Sequence, residues 1–157
     1  MQGAHLPALA AEAWLSHIAW NYTVTPSSDK LTPVAARAAE LIEMALSRDT
    51  GHPLAHHLKI HLLETQQIGG SSGGAPGKGL QGAVDAAEGL LANALKADAT
   101  GHLLHMPVHS LVRVGRWRDA IAVCCSVGSL EGAEMARIDM HLPEHDAGKL
   151  CRQASGR

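Results

Sequence analysis

Gly101-His102-Leu103-Leu104-His105-Met106-Pro107-Val108-His109, with Val112-Arg113-Val114-Gly115-Arg116-Trp117-Arg118-Asp119-Ala120 directly behind it, decides how this chain folds. Three histidines surround a proline able to start a helix, because its fixed φ suits the first turn and its missing N–H is not needed there. The Gly-x-Trp-x-x-Ala that follows has the form of a turn between two packed helices. An earlier segment, His52-Pro53-Leu54-Ala55-His56-His57-Leu58-Lys59-Ile60-His61, repeats the theme.

Working outward, 157 residues are the size of one domain with room for a sizeable core. Hydrophobic residues are 46% of the chain, yet Phe is absent and Tyr occurs once. Leu, Ala, Met and the three Trp must therefore fill the core, a composition that favours helices over strands. A formal charge of -2 with scattered basic residues points away from nucleic acid and anionic membranes. Three cysteines, two of them adjacent at Cys124-Cys125, make a poor disulfide framework and predict buried free thiols. No apolar run approaches the roughly 20 residues that span a bilayer. The segment Met1-Gln2-Gly3-Ala4-His5 lacks the basic and apolar regions of a secretory signal, so a cytoplasmic protein is expected.

Periodicity predicts a helix over 9–22, with Ala11, Trp14, Leu15, Ile18, Ala19 and Tyr22 on one stripe. A Ser/Pro/Asp-rich loop at 25–30 leads to Thr32-Pro33, a cap followed by a first-turn proline, and a helix over 33–47. A second start at His52-Pro53 predicts a helix over 53–65. The run 69–79, Gly-Gly-Ser-Ser-Gly-Gly-Ala-Pro-Gly-Lys-Gly, reads as a flexible insertion within the domain. Helices are predicted over 81–96, 107–114, 118–126 and 132–140, with 107–114 and 118–126 a pair turning at Gly115. The domain spans 1–146, and 147–157 is a disordered tail.

An internal repeat emerges. Ala38-Ala39-Glu40 recurs as Ala86-Ala87-Glu88, Ala45-Leu46 as Ala94-Leu95, and Thr50-Gly51-His52 as Thr100-Gly101-His102, at offsets of 48, 49 and 50 residues. His57 and His61 recur as His105 and His109. Each unit is an apolar helix, a Thr-Gly-His turn, then a helix carrying His-x-x-x-His. Stacking buries what one unit cannot bury alone, so an all-α array of antiparallel helix–turn–helix repeats is expected.

Histidines four apart lie one above the other on a helix face, and Glu64 extends the face of His57 and His61. Antiparallel packing of the two histidine-bearing helices would gather His57, His61, Glu64, His105 and His109. Imidazole is the commonest side-chain ligand for divalent transition metals, so zinc, copper or iron are the candidate cofactors. Glu64 would be the base or a ligand of such a site, or would orient a ligand histidine. The competing reading is structural: a histidine beside a helix-starting proline caps that end, and facing histidines form a satisfied polar network. His141-Leu142-Pro143-Glu144-His145 echoes the block around Pro107.

Other chemistry is thin. There is no Gly-x-Ser-x-Gly, His-Glu-x-x-His or Cys-x-x-Cys, and Gly77-Lys78 is followed by Gly79 rather than the Ser or Thr of a phosphate loop. Cys124, Cys125, Trp14, Trp20 and Trp117 are expected to pack the core. Arg113, Arg116 and Arg118 are expected to form a solvated rim.

With Gly115, Trp117 and Ala120 in place, the chain resembles tetratricopeptide-repeat proteins. More narrowly, it resembles large tetratricopeptide-like proteins that carry two blocks. One is His-Pro-x-x-x-His-x-x-x-His-x-x-Glu, here His52-Pro53, His57, His61 and Glu64. The other is Gly-His-Leu-x-His-Met-Pro-x-His-x-x-x-Arg-x-Gly, here Gly101 to Gly115. The segment with Trp14 and Trp20-Asn21 resembles what precedes these blocks, and the likeness covers 11–123. It departs in the doubled His56-His57, in the long Gly/Ser insertion and in the short run of repeats. The resemblance implies an α-solenoid, here a short or truncated array, with an interaction role and no established reaction. A short array without a clear cap also implies an exposed apolar end and self-association.

The leading expectation is a non-enzymatic module that binds a protein or peptide partner between its helix pairs. The rival is a histidine-rich metal-binding protein or metalloenzyme at His57, His61, Glu64, His105 and His109, with Glu64 as the one catalytic candidate.

Overall fold

The computed structural model describes residues 2–18, 23, 30–64, 78–94 and 102–126. Six helices follow one another: α1 (Gln2–Leu15), α2 (Pro33–Arg48), α3 (Pro53–Glu64), α4 (Lys78–Ala94), α5 (His102–Arg113) and α6 (Trp117–Ser126). Among the described residues there is no strand beyond one isolated bridge at Leu31, so the protein is all-α. None of these helices is long and apolar enough to cross a membrane.

The local signals act as their chemistry requires. Thr32 is extended and its hydroxyl accepts from the Ala35 N–H at 3.4 Å, with Pro33 in the first helical position. At the end of α5 the Arg116 N–H bonds the Leu111 carbonyl and the Gly115 N–H bonds the Val112 carbonyl. This double closure needs a left-handed residue, and Gly115, at φ 76°, supplies it.

Three helices differ from the reading of the sequence. Helix α1 spans Gln2–Leu15 rather than 9–22, and α5 begins at His102, so Pro7 lies inside a helix and Pro107 lies inside one instead of starting it. An internal proline orphans the carbonyl four residues before it. For Pro7 that group is the Gly3 carbonyl, and Arg48 at the end of α2 donates to it at 2.6 Å. The tertiary contact replaces the lost helical bond. Pro107 is fully buried among Met106, Val108, Ser110 and Leu111, where packing outweighs the local penalty. Helix α4 also starts earlier, at Lys78 inside the run expected to be flexible. Trp20, Tyr22, the expected loop at 25–30, the remainder of that run, the helix at 132–140, the block around Pro143 and the tail lie outside the described residues.

Packing follows from small residues at the seams. Consecutive helices touch, and α1 also meets α3, as α3 meets α5. The Gly3–Arg48 bond sets α1 antiparallel to α2. A methyl group on Gly51 would meet Asn93, one on Gly89 would meet His56, and one on Gly82 would meet Leu63, which sets α3 antiparallel to α4. The alternate helices run parallel. His5 bonds His52 and Ala8 clusters with Ala55 across α1 and α3. Ile60 clusters with Met106, and the Glu64 carbonyl accepts from Arg113, across α3 and α5. The two histidine-bearing helices are thus parallel rather than antiparallel, because α4 returns the chain to the start before α5 begins.

Among the described residues the core is built mainly from Leu, Ile, Val and Ala, and neither Trp14 nor Trp117 joins it. Trp14 is 42% exposed and Trp117 is 52% exposed, against the expectation that both are core. Helix α1 packs through Ala4, Ala8 and Ala11, a seam that turns Leu6, Leu9 and Trp14 outward. Cys124 is buried and takes part in no disulfide, as expected, whereas Cys125 is disulfide-bonded, contrary to the free thiol expected there.

Candidate functional site

Parallel α1 and α3 enclose a cavity of about 250 Å³ lined by Glu12, Leu15, Ser16, Ile18, Thr23, His57, Leu58 and His61. His57 and His61 reach it because a four-residue spacing stacks them on one helix face. Their rings meet edge to face, with centroids 4.7 Å apart and planes at 81°. His61 is held from behind: its Nδ1 lies 3.1 Å from Oε1 of Glu64, whose residue is only 7% exposed. A carboxylate oxygen only accepts, so Nδ1 donates to Glu64 in this contact. Glu64 therefore orients His61 and does not stand over the cavity as a base. Arg113 donates to the Glu64 carbonyl, which is otherwise an orphan of the α3 C-terminus, and fixes this corner against α5.

The five histidine and glutamate candidates fall into two sets. His57, His61 and Glu64 belong to α3 and the cavity. His105 and His109 pair with each other on α5, with Nε2 atoms 2.8 Å apart. Among the described residues no three His, Cys, Asp or Glu side chains are grouped to hold one metal ion.

His5, His52 and His56 are structural. The Ala55 N–H donates to Nδ1 of His52 at 3.3 Å, so His52 caps α3. Its Nε2 then carries the proton and donates to Nδ1 of His5 at 2.9 Å, tying α1 to the start of α3. Burial, and then the neighbouring His5, lower the His52 pKa from 6.5; the Asp49 carboxylate opposes the shift. His56, beside His57, turns the other way: Nε2 donates to the Thr50 carbonyl at 2.8 Å and the ring lies flush on Gly89 of α4. Of the doubled pair, His57 is the one that faces the cavity.

Three participants were not singled out from the sequence: His5, Glu12 and Ser16. Glu12 is the one charged residue of α1, and that isolation within an apolar helix was the available signal. His5-Leu6-Pro7 matches His105-Met106-Pro107, which flagged His5. Nothing distinguished Ser16. The arginines at the Gly115 turn are also engaged beyond a solvated rim: Arg116 bridges Glu88 of α4 and, at 2.6 Å, Asp119.

The fold and the site define an all-α protein with a histidine-lined cavity between two parallel helices. No family model, no curated protein and no solved structure matches the chain.

Proposed function

We propose that the chain is a helical-repeat interaction module of the tetratricopeptide type, taking a partner segment on the layer formed by α1, α3 and α5. The observation that carries this reading is the α1–α3 cavity, apolar at Leu15, Ile18 and Leu58 and edged by acceptors. Parallel alternate helices related by 48 residues at His57 and His105 support the repeat. Its polar lining residues are Glu12, Ser16, Thr23, His57 and His61, and of these Glu12 brings the carboxylate. Acceptors above apolar walls complement a donor on an apolar stem, which is the description of a lysine or arginine side chain. The partner is therefore a peptide segment with a basic residue between apolar neighbours.

Selection of a displayed peptide library on the protein tests this. Enriched peptides should carry Lys or Arg flanked by apolar residues. Reversing the exposed rim charge with Glu12→Lys should weaken their binding by about tenfold or more, the loss of a charge-assisted contact. Enrichment of acidic or purely apolar peptides, or binding indifferent to Glu12→Lys, would contradict the proposal.

A further inference from the structure

The α5 histidines do not line the cavity, and their arrangement has its own chemical meaning. His105 and His109 are one helical turn apart, with ring planes at 82°, centroids 4.5 Å apart and Nε2 atoms 2.8 Å apart. Both rings are half-buried, and their helix is pinned by the buried Met106, Val108 and Leu111. We infer that His105 and His109 form a two-histidine clip for a divalent transition metal, with Cu(II) the preferred ion.

The argument is one of distances. A metal–nitrogen bond of about 2.0 Å with cis ligands at a right angle sets the two nitrogens about 2.8 Å apart, whereas a tetrahedral ion sets them about 3.3 Å apart. The observed separation is that of the hydrogen bond between the rings, and a small rotation reaches either arrangement; Cu(II) is preferred as the tightest binder in the divalent series. Two protein ligands suffice when water fills the other positions, so a group of three side chains is not required. In the free protein one ring donates its Nε2 proton to the other. On binding, a small rotation of both rings turns the lone pairs toward a common point. The donor ring carries its proton at Nδ1 instead, by exchange with solvent, and no net proton is released. Imidazolium cannot ligate, so binding weakens in acid.

The α3 pair has nearly the same ring geometry, at 4.7 Å and 81°, but there His61 is tied to Glu64 and both rings line the cavity. It serves as the internal comparison.

Titration of the full chain with Cu(II), followed by visible absorption and electron paramagnetic resonance, tests the clip. One equivalent should bind with a spectrum showing nitrogen ligation, and it should raise the thermal midpoint. His105→Ala and His109→Ala should each weaken this equivalent by roughly a hundredfold, since even outer-shell changes cost ten- to a hundredfold. The double variant His57→Ala/His61→Ala should retain it. Circular dichroism of the metal-free variants checks folding, and His109→Gln, which keeps bulk and polarity, replaces any variant that unfolds. Unchanged Cu(II) binding in the α5 variants, or its loss only in the α3 double variant, would overturn the assignment.

Discussion

Gly89→Ala should cost about 2–3 kcal/mol of stability, because the added methyl has nowhere to go. An ideal Cβ at this position would lie 2.3 Å from Cε1 of His56 and 2.8 Å from both ring nitrogens. The ring cannot retreat without giving up the bond from Nε2 to the Thr50 carbonyl, which ties α3 to the turn before it. For a chain of this size the loss corresponds to a fall in thermal midpoint of roughly 5–10 °C. The mechanism has its own signature. In the double variant His56→Ala/Gly89→Ala the clash is gone, so the two substitutions should be markedly less harmful together than their sum. Gly51→Ala is the control. Its Cβ would meet the amide end of Asn93, whose bond is only to the Gly89 carbonyl one turn back in its own helix, so Asn93 can swing aside without loosening a contact between elements and the cost should be smaller. A Gly89→Ala protein as stable as the parent would place His56 elsewhere.

Ile60→Ala should be at least as damaging, at about 3–4 kcal/mol by urea denaturation. Ile60 is fully buried where α3, α4 and α5 meet, in a cluster with Ala86, Ala87, Leu90 and Met106. The cost of a large-to-small change depends on how far the surroundings can collapse into the space. Two of these neighbours are alanines with no side chain to extend, so most of the cavity should persist. Ile60→Val removes one methylene from the same site and should cost about 1 kcal/mol. The ratio between the two variants separates cavity formation from a general loss of folding.

The helical class and most helix positions were legible because they rest on local chemistry. Thr32-Pro33 and Gly115 need the backbone conformations they have, and of the stripe Val34, Ala38, Leu41 and Ala45 that the spacing predicts, the last three are buried. What was not legible depended on partners distant in sequence. A proline is locally suited to the start of a helix and not to its interior, and nothing near Pro7 reveals that Arg48 takes the carbonyl it orphans. Parallel placement of α3 and α5 follows from α4 lying between them, which spacing alone does not fix. For the same reason the spacing identified His57 and His61 as sharing a face with Glu64 but also offered His105 and His109 as partners in one site. The doubled His56-His57 was ambiguous in sequence and is resolved by Gly89, which leaves room for one of the two rings. The exposure of Trp14 was missed because α1 packs through the small residues Ala4, Ala8 and Ala11.

The claim on which the functional reading stands is that a partner's basic side chain enters between α1 and α3. Its most direct test is a titration of isotope-labelled protein with a selected Lys- or Arg-bearing peptide, followed by backbone and imidazole chemical shifts. The predicted result is that the largest changes fall on Glu12, Leu15, Ser16, His57, Leu58 and His61, that the α2 and α6 resonances move little, and that Glu12→Lys abolishes the pattern. Shifts centred on α2 or α6, with the α1–α3 resonances unmoved, would contradict it.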